Sequence, residues 1–273
     1  MTEIARRTAA GLSYLARDGE GLPIVLLHGI GSNAQSFEPV MRALDRPALA
    51  WDAPGYGASE PLAAQWPDAS DYAAAVDRWL AGIGVSRCIL AGHSLGALIA
   101  ARFALVAPKR VAALFLLSPA LGHGVEKGSA LPPPVASRIE ELDRLGAEKF
   151  AQARSPGLLA DPAAQPLVLQ AVVRAMACVR RPGYDQAARL LAGGRLIDDA
   201  ATIELPTAVL VGAQDRITPP ASARRVFDAL PAASSRNVYR EIAGVGHALC
   251  QERPAEAARA IAEIVARQAT AHA

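Results

Sequence analysis

The sequence has few cysteines and few aromatic residues. Its 273 residues include three cysteines, Cys88, Cys178 and Cys250. A small, odd number of cysteines without paired spacing provides neither a disulfide framework nor a zinc ligand set. We therefore expect three reduced thiols in a cytoplasmic protein and no bound metal. Aromatic residues form 5% of the chain, although 52% of it is hydrophobic, which predicts an aliphatic core.

The chain also lacks an excess of one charge and a long apolar run. The formal net charge is +2, from 28 basic and 26 acidic residues. This balance provides no basic surface for nucleic acid or an anionic membrane. No stretch approaches the roughly 18 apolar residues that a membrane span needs, and charges at 17–20 interrupt any signal peptide after Arg6-Arg7. We expect a small-molecule partner and leave a homodimer open.

Short apolar runs recur along the chain, separated by segments of helical length. Near-continuous apolar runs indicate strands that are buried on both faces, and their alternation with helices indicates parallel crossovers. The runs are 24–27, 48–51, 88–91, 113–117, 208–211 and, more weakly, 238–239. The segments between or after them predict helices at 37–44, 71–80, 95–107, 219–230 and 254–267, with Ser70 as the N-cap of the second.

Residues 119–202 interrupt this alternation because they contain no convincing strand. The segment includes three consecutive prolines, 132–134, and then helical patterns at 135–154, 167–180 and 184–191. A helical insertion between two sheet strands is typical of a cap over the sheet. We therefore predict a core formed by 1–118 and 203–273 and a helical cap, or lid, formed by 119–202.

The segment Gly92-His93-Ser94-Leu95-Gly96 carries the strongest signal for chemistry. It lies between a predicted strand and a predicted helix, the context in which the G-x-S-x-G pattern exposes a serine hydroxyl on a sharp turn. The two glycines allow the strand and the helix to approach each other. We predict Ser94 as a nucleophile and the backbone N–H of Leu95, at the helix N-terminus, as an oxyanion donor.

A glycine-rich turn at 28–33 follows the first predicted strand. Such a turn can present a second backbone donor to an oxyanion, which we assign to the N–H of Ile30. The alternative is a tight turn without a chemical role. His28 is expected to hydrogen-bond inside the turn rather than to act as a base.

Asp215 lies in the loop after the strand at 208–211. Catalytic groups gather beyond the carboxyl ends of parallel strands, so Asp215 is the predicted acid that orients a base. The alternative is an ordinary surface acid or a partner for Arg216. Asp198 and Asp199 compete for the role but precede the strand rather than follow it.

His247 is the predicted base. Of the five histidines, it alone follows a late strand, which gives the order Ser, Asp, His along the chain. His28 and His93 lie inside other motifs, His272 lies near the C-terminus, and His123 opens the predicted cap. The alternative for His247 is a solvated loop histidine.

Together with the 52–59 segment, which matches D-x-P-G-x-G-x-S, these motifs resemble the α/β-hydrolase superfamily, in its serine esterase-like branch with a helical cap. The resemblance covers about 11–119 and 205–267. It implies an eight-stranded, mostly parallel sheet flanked by helices, a cap inserted after the sixth strand, a catalytic triad of Ser94, Asp215 and His247, and no cofactor.

The predicted reaction is hydrolysis of a carboxylic ester of a small or medium acyl substrate through an acyl-enzyme. A serine nucleophile argues against relatives that use an aspartate. Hydrolases of carbon–carbon bonds usually carry Asn and Met around the nucleophile, where this chain has His93 and Leu95. A carbon–carbon, lactone or amide hydrolase with the same triad stays open, as does a ligand receptor with slow turnover.

Candidate substrate contacts are His93, His123, Phe150 and Met176. Eight apolar residues of the predicted cap are candidates for an acyl pocket or, alternatively, for packing of cap helices on the sheet: Leu121, Val125, Leu145, Phe150, Leu158, Leu159, Met176 and Val179. The pair Arg180-Arg181 is either a clamp for a substrate carboxylate or a solvated charge pair.

Overall fold

Eight strands form one sheet in the computed structural model, which describes residues 3–232 and 236–270. Their order in the sheet is β1-β2-β4-β3-β5-β6-β7-β8. The strands are β1 Ile4–Ala9, β2 Leu12–Arg17, β3 Ile24–Leu27, β4 Ala48–Trp51, β5 Cys88–His93, β6 Val111–Leu117, β7 Thr207–Gly212 and β8 Val238–Ile242. β2 pairs antiparallel with β1 and β4, and all other pairs are parallel. The expected eight-stranded, mostly parallel sheet is confirmed.

Helices flank the sheet and connect its parallel strands. They are α1 Glu38–Ala43, α2 Ala69–Gly82, α3 Leu95–Val106, α4 Pro133–Arg154, α5 Pro166–Ala177, α6 Gly183–Gly193, α7 Leu196–Ala200, α8 Pro220–Ala229, α9 Leu249–Glu252 and α10 Pro254–Thr270. The predicted helices at 95–107 and 219–230 agree with α3 and α8 to within a residue at each end. Prolines lie close to the ends of both helices, so their bounds could be predicted from the sequence.

The N-cap prediction for α2 is wrong. The cap is Asp68 rather than Ser70, and the helix begins at Ala69. The Asp68 carboxylate accepts the N–H groups of Ser70 at 2.7 Å and Asp71 at 3.2 Å, and the Asp71 carboxylate accepts the N–H of Asp68 at 2.9 Å. In this capping box the two carboxylates accept backbone N–H groups of the first helical turn and of the N-cap residue itself. Ser70 lies inside the helix and does not take this role.

The core lies on both faces of the sheet because alternate residues of each buried strand point in opposite directions. Val25 and Leu27 of β3 belong to the cluster that includes residues of α2, α3 and α8. Ile24 and Leu26 belong to the cluster that includes residues of α1 and α10. All four side chains are fully buried, as the near-continuous apolar pattern predicts for a sheet covered on both faces.

β1 and β2 were not visible as apolar runs. β1 carries Arg6 and Arg7, and its residues are exposed or half-buried, as expected for an edge strand. A two-residue turn at Ala10 and Gly11, with φ of 50° and 77°, joins β1 to β2. Positive φ at both positions matches the twist of a two-residue β-hairpin. Alanine is unusual at the first position of such a turn, so the sequence did not predict the hairpin.

Residues 119–202 form a helical insertion between β6, the sixth strand, and β7. It contains α4, α5, α6 and α7, of which α7 was not predicted. α4 is the longest and is interrupted at Gly146, whose φ of 72° and ψ of 162° are not helical. No residue of the helical insertion pairs with the sheet.

Candidate active site

Ser94 lies on a sharp turn between β5 and α3. Its φ of 53° and ψ of −115° are unfavourable for a residue with a side chain and cost about 1–3 kcal/mol. The turn is held by hydrogen bonds from the Ser94 N–H to the Leu117 carbonyl at 2.9 Å and from the Ala97 N–H to the Ser94 carbonyl at 3.0 Å. The surrounding structure therefore maintains a strained backbone that presents the Ser94 side chain to a cavity.

Gly96 allows the sharp bend at Ser94 because the N-terminal end of α3 packs directly against the end of β3. A Cβ atom at position 96 would lie 2.1 Å from the carbonyl oxygen of Leu27 and 2.7 Å from its carbon. Both are backbone atoms, which cannot rotate away as a flexible side chain can. The glycine after the serine is therefore a packing requirement of the strand–turn–helix geometry.

Asp215 and His247 form a buried pair beyond the ends of β7 and β8. His247 Nδ1 lies 2.9 Å from Asp215 Oδ2. The other carboxylate oxygen accepts the N–H groups of Ile217 and Thr218, both at 2.9 Å. Burial alone raises the pKa of Asp215, but His247 and the Thr218 N–H lower it to about 2. An ionised carboxylate only accepts hydrogen bonds, so Nδ1 of His247 is the donor of this pair and Nε2 is the ring nitrogen that is turned away from Asp215.

Thr218 contacts both residues of this pair, a role that the sequence analysis did not predict. Its hydroxyl lies 3.0 Å from Asp215 Oδ2, 3.2 Å from His247 Nδ1 and 3.0 Å from the Ser118 carbonyl. It therefore links the acid, the imidazole and the end of β6. The only sequence signal was its position three residues after Asp215, where an Asx-type turn places a side chain beside the acid.

His93 supports the loop that carries His247. Its Nε2 lies 2.8 Å from the backbone carbonyl of His247, and the two ring centroids are 4.8 Å apart. Burial, followed by the positive charge that His247 can acquire, lowers the pKa of His93 to about 3. His93 is therefore neutral and donates Nε2–H to that carbonyl. It also lines the cavity.

The turn at 28–33 lies against Ser94. A Cβ atom on Gly29 would lie 2.8 Å from the Ser94 Cβ, so the backbone of the turn approaches the serine closely. His28 donates Nδ1–H to the Gly29 carbonyl at 2.8 Å and accepts the Ala53 N–H at Nε2 at 2.9 Å. Both ring nitrogens are thus occupied by backbone groups, and burial lowers the pKa of His28. This arrangement suits a structural role for His28.

The two predicted backbone donors lie at this same place. Ile30 follows Gly29 in the turn and lines the cavity. Leu95 is the first residue of α3, where a backbone N–H has no acceptor inside its own helix. Both residues therefore lie beside Ser94, Leu95 as the next residue in the chain and Ile30 as the neighbour of Gly29.

Glu252 of α9 joins the His247 loop to the helical insertion. Its buried carboxylate accepts the N–H of Gly246 at 2.7 Å, the N–H of Ala160 at 2.8 Å and the side-chain amide of Gln165 at 3.1 Å. Gly246 directly precedes His247 in the chain. One carboxylate therefore holds two segments that are far apart in sequence.

A cavity of about 610 Å³ lies between the sheet end and the helical insertion. We define the sheet end as the loops that follow β3, β5, β7 and β8. Ser94 and His247 line the cavity, together with His93, His123 and Met176 among the candidate contacts. Of the candidate acyl-pocket residues, Leu121 and Leu158 also line it. This volume is typical of sites for small molecules.

Phe150 is not among the residues that line this cavity. Its side chain is buried inside the helical insertion, where its ring packs edge-on against Tyr184 with centroids 5.6 Å apart. The guanidinium of Arg154 lies 5.4 Å from the Phe150 ring centroid. The prediction of Phe150 as a substrate contact is therefore replaced by a packing role, because α4 turns this residue away from the cavity.

The remaining candidates lie elsewhere. Arg180 and Arg181 are absent from the cavity lining, and Arg181 pairs with Asp143 at 2.7 Å and Asp185 at 3.5 Å. Asp199, a rival of Asp215, pairs with Arg102 at 2.6 Å. His272 lies outside the described residues. α4 contributes three charged lining residues that the sequence did not single out, namely Arg138, Glu141 and Arg154.

Neither a metal cluster nor a membrane-spanning helix appears in the described ranges. Among residues 3–232 and 236–270, no group of three or more His, Cys, Asp or Glu side chains is arranged to hold a metal ion. Within the same ranges, every helix is too short or too polar to cross a membrane.

The sheet topology and the strand–turn–helix motif define an α/β-hydrolase. A family model described as serine aminopeptidase, S33 (Hydrolase_4), matches residues 22–254. The chain belongs to this family and is a hydrolase.

Two relatives and one solved structure illustrate the similarity. The chain is 31% identical to a dihydrolipoyllysine-residue acetyltransferase component of an acetoin cleaving system from Pseudomonas putida. That alignment has 226 residues and covers 78% of this chain but only 58% of the Pseudomonas protein. The chain is 30% identical to (E)-2-((N-methylformamido)methylene)succinate hydrolase from Acinetobacter baylyi. That alignment has 212 residues and covers 74% of this chain and 76% of the Acinetobacter protein. A thermophilic esterase from Thermogutta terrifontis superposes with a TM-score of 0.82 at 21% identity, over 97% of this chain and 99% of that one.

Proposed function

We propose that this protein is a serine hydrolase that cleaves a carboxylic ester of a small or medium acyl substrate through an acyl-enzyme. The observation that carries the proposal is the buried Asp215–His247 pair, 2.9 Å apart, at the same cavity as Ser94 on its strained turn. A nucleophile, a base and a group that orients the base are the parts that covalent catalysis by serine needs.

The proposed reaction has two halves. Nε2 of His247 takes the proton of the Ser94 hydroxyl as Oγ bonds to the ester carbonyl carbon. The N–H groups of Ile30 and Leu95 stabilise the oxyanion of the tetrahedral intermediate. His247 then protonates the leaving alcohol as the carbon–oxygen bond breaks. Water, deprotonated by His247, releases the acid from Ser94 in the second half.

Asp215 orients His247 and stabilises its imidazolium. Because the pKa of Asp215 is about 2, its carboxylate stays ionised at neutral pH and keeps the Nδ1 proton of His247 in place. We further propose that residues 119–202 act as the cap over a core formed by 1–118 and 203–273, since the helical insertion supplies the cavity wall that faces Ser94. The substrate is bound between these two parts.

Ser94→Ala tests the assignment of the nucleophile. Turnover of p-nitrophenyl butanoate should fall by roughly a thousandfold or more, with an unchanged circular dichroism spectrum. Ser137→Ala, at an exposed position on α4, is the matched control and should retain full turnover. A fluorophosphonate should add once to the native protein, at Ser94, as measured by peptide mass spectrometry. Near-normal turnover of Ser94→Ala would falsify the assignment.

The alternative hydrolase reactions share this site. The Acinetobacter relative is named for a substrate with a formamide group, so amide cleavage is the alternative with a specific observation behind it. A panel of matched esters, lactones, amides and vinylogous diketones discriminates the bond type by relative kcat/KM. Stoichiometric ligand retention without turnover on any of them favours the receptor alternative.

A further inference from the structure

One face of α4 lies on the cavity opposite the sheet end. Pro134, Val135, Arg138 and Glu141 all line the cavity, and their spacing of three and four residues places them on one side of a helix. Arg144, on the same helix, is exposed and absent from the lining. The helix therefore offers the cavity one particular arginine of its first half, Arg138.

The charges of the cavity lining do not balance. Its one carboxylate, Glu141, pairs with Arg154 at a distance of 2.6 Å between Oε2 and Nη1. Arg138 has no carboxylate within ion-pair distance in the described part of the chain. Burial lowers the pKa of His93 and of His123, so these lining imidazoles are neutral near pH 7. The guanidinium of Arg138 is therefore a positive charge without a counter-charge.

A structural role for Arg138 accounts for only part of this arrangement. Arg138 lies near the hydroxyl of Tyr184, a residue of α6. Burial raises the pKa of Tyr184, and Arg138 offsets part of this effect. The phenol is therefore neutral at physiological pH. A neutral hydroxyl accepts a hydrogen bond but does not neutralise a cation, so the guanidinium still has donors and charge to offer a ligand.

We propose that Arg138 binds a carboxylate of the substrate, so that the protein acts on anionic esters such as the monoesters of dicarboxylic acids. A planar guanidinium matches a carboxylate with two parallel hydrogen bonds. The proposal rests on the proposed function for its reaction. A monoester anion and water yield the dicarboxylate, the alcohol and one proton, with Ser94 bonded to the acyl carbon between the two halves.

The hydrolysis test compares two esters that differ only at the far end of the acyl chain. Monomethyl adipate ends in a carboxylate, and methyl hexanoate ends in a methyl group. The native protein should prefer the anionic ester by about tenfold in kcat/KM, since a hydrogen bond to a charged group contributes roughly tenfold or more and partial exposure screens it. The preference should fall as salt is added.

Variants of two arginines on α4 then locate the preference. Arg138→Gln should abolish the preference, through a higher KM for the anionic ester, and Arg138→Lys should keep part of it. Arg144→Gln should keep the native preference. Equal ratios for the native protein and Arg138→Gln, or an equal loss in Arg144→Gln, would overturn the proposal.

A binding measurement separates this proposal from the proposed function. Calorimetric titration of Ser94→Ala with monomethyl adipate and with methyl hexanoate requires no turnover. Two results together support the carboxylate site, even if the native protein cleaves neither ester. Ser94→Ala binds the anionic ester more tightly than the neutral ester, and the double variant with Arg138→Gln binds both esters equally. In that case the hydrolytic proposal fails and the binding proposal stands. Equal or undetectable binding of both esters contradicts the carboxylate site.

Discussion

The sheet end and the helical insertion enclose the same cavity but are held in different ways. At the sheet end, Ser94, Asp215 and His247 are buried and their loops are fixed by backbone hydrogen bonds. In the helical insertion, the charged cavity residues Arg138 and Glu141 are only partly buried and sit on a helix interrupted at Gly146. The groups that we propose for the reaction are thus buried side chains on hydrogen-bonded loops, and the charged group that we propose for substrate binding is a partly buried side chain on an interrupted helix.

An acid at each of the two regions provides the largest expected contrast. Asp215→Asn should lower kcat for ester hydrolysis by roughly a thousandfold to ten-thousandfold, because an amide no longer fixes the proton on Nδ1 of His247 or stabilises its imidazolium. Asp143→Asn removes an exposed partner of Arg181 in the helical insertion and should change kcat less than twofold. Steady-state kinetics of the two variants measure the difference. A similar loss in both would remove the distinction between the regions.

Glycines provide the next contrast, in stability. Gly96→Ala should destabilise the fold by about 3 kcal/mol or more, because the new Cβ would meet backbone atoms of Leu27 at 2.1 and 2.7 Å. Gly157 of the helical insertion has an ordinary φ and no heavy atom within 4 Å of such a Cβ. Gly157→Ala should stay within about 0.5 kcal/mol of the native protein. Urea unfolding curves of the two variants measure these changes in the free energy of unfolding. Native-like stability of Gly96→Ala would contradict the prediction, because it would mean that the backbone around Ser94 can move away from Leu27.

Most of the sheet, but less of the cavity wall, was predictable from the sequence. The motif around Ser94 is local in sequence, so its strand, turn and helix were legible together. Asp215 and His247 were selected because each follows an apolar strand. Phe150 was assigned to the wrong surroundings, and Arg138 was not singled out. The rotation of α4 about its own axis depends on packing against α5 and α6, which a single sequence does not display.

Glu252 allows a test of how the two regions are joined. Glu252→Gln should lower the free energy of unfolding by about 2 kcal/mol, because a side-chain NH₂ group then faces N–H donors that the carboxylate now satisfies. Glu148→Gln, at an exposed position on α4, should change it by less than about 0.5 kcal/mol. Chemical denaturation of both variants measures this. Equal stability of the two would mean that the three hydrogen bonds of Glu252 contribute nothing net.

The smallest effect concerns acid stability. Burial lowers the pKa of His93 to about 3 in the fold, against about 6.5 for an imidazole in the unfolded chain. Below pH 6.5 the unfolded chain takes up a proton at His93 that the folded chain does not, so stability falls as pH falls towards 3. Because the His93 ring is partly exposed to the cavity, we expect an extra loss of about 1 kcal/mol between pH 6.5 and 4.5.

His93→Gln should remove this extra loss, since glutamine does not titrate and can still donate to the His247 carbonyl. His123→Gln, in the helical insertion, should remove less of it, because His123 is exposed. Unfolding free energies at pH 7, 5.5 and 4.5 provide the comparison. Parallel curves for the native protein and His93→Gln would contradict this prediction, since they would show that the pKa of His93 is the same in the folded and the unfolded chain.

The carboxylate of Glu252 also links the position of the helical insertion to the position of His247. The segment around Ala160 cannot lift from the sheet end while it shares this carboxylate with Gly246. An outward movement there would pull on the residue before His247 and displace the imidazole from Asp215. The hydrogen bonds of Glu252 therefore couple the position of the helical insertion at Ala160 to the loop that carries His247.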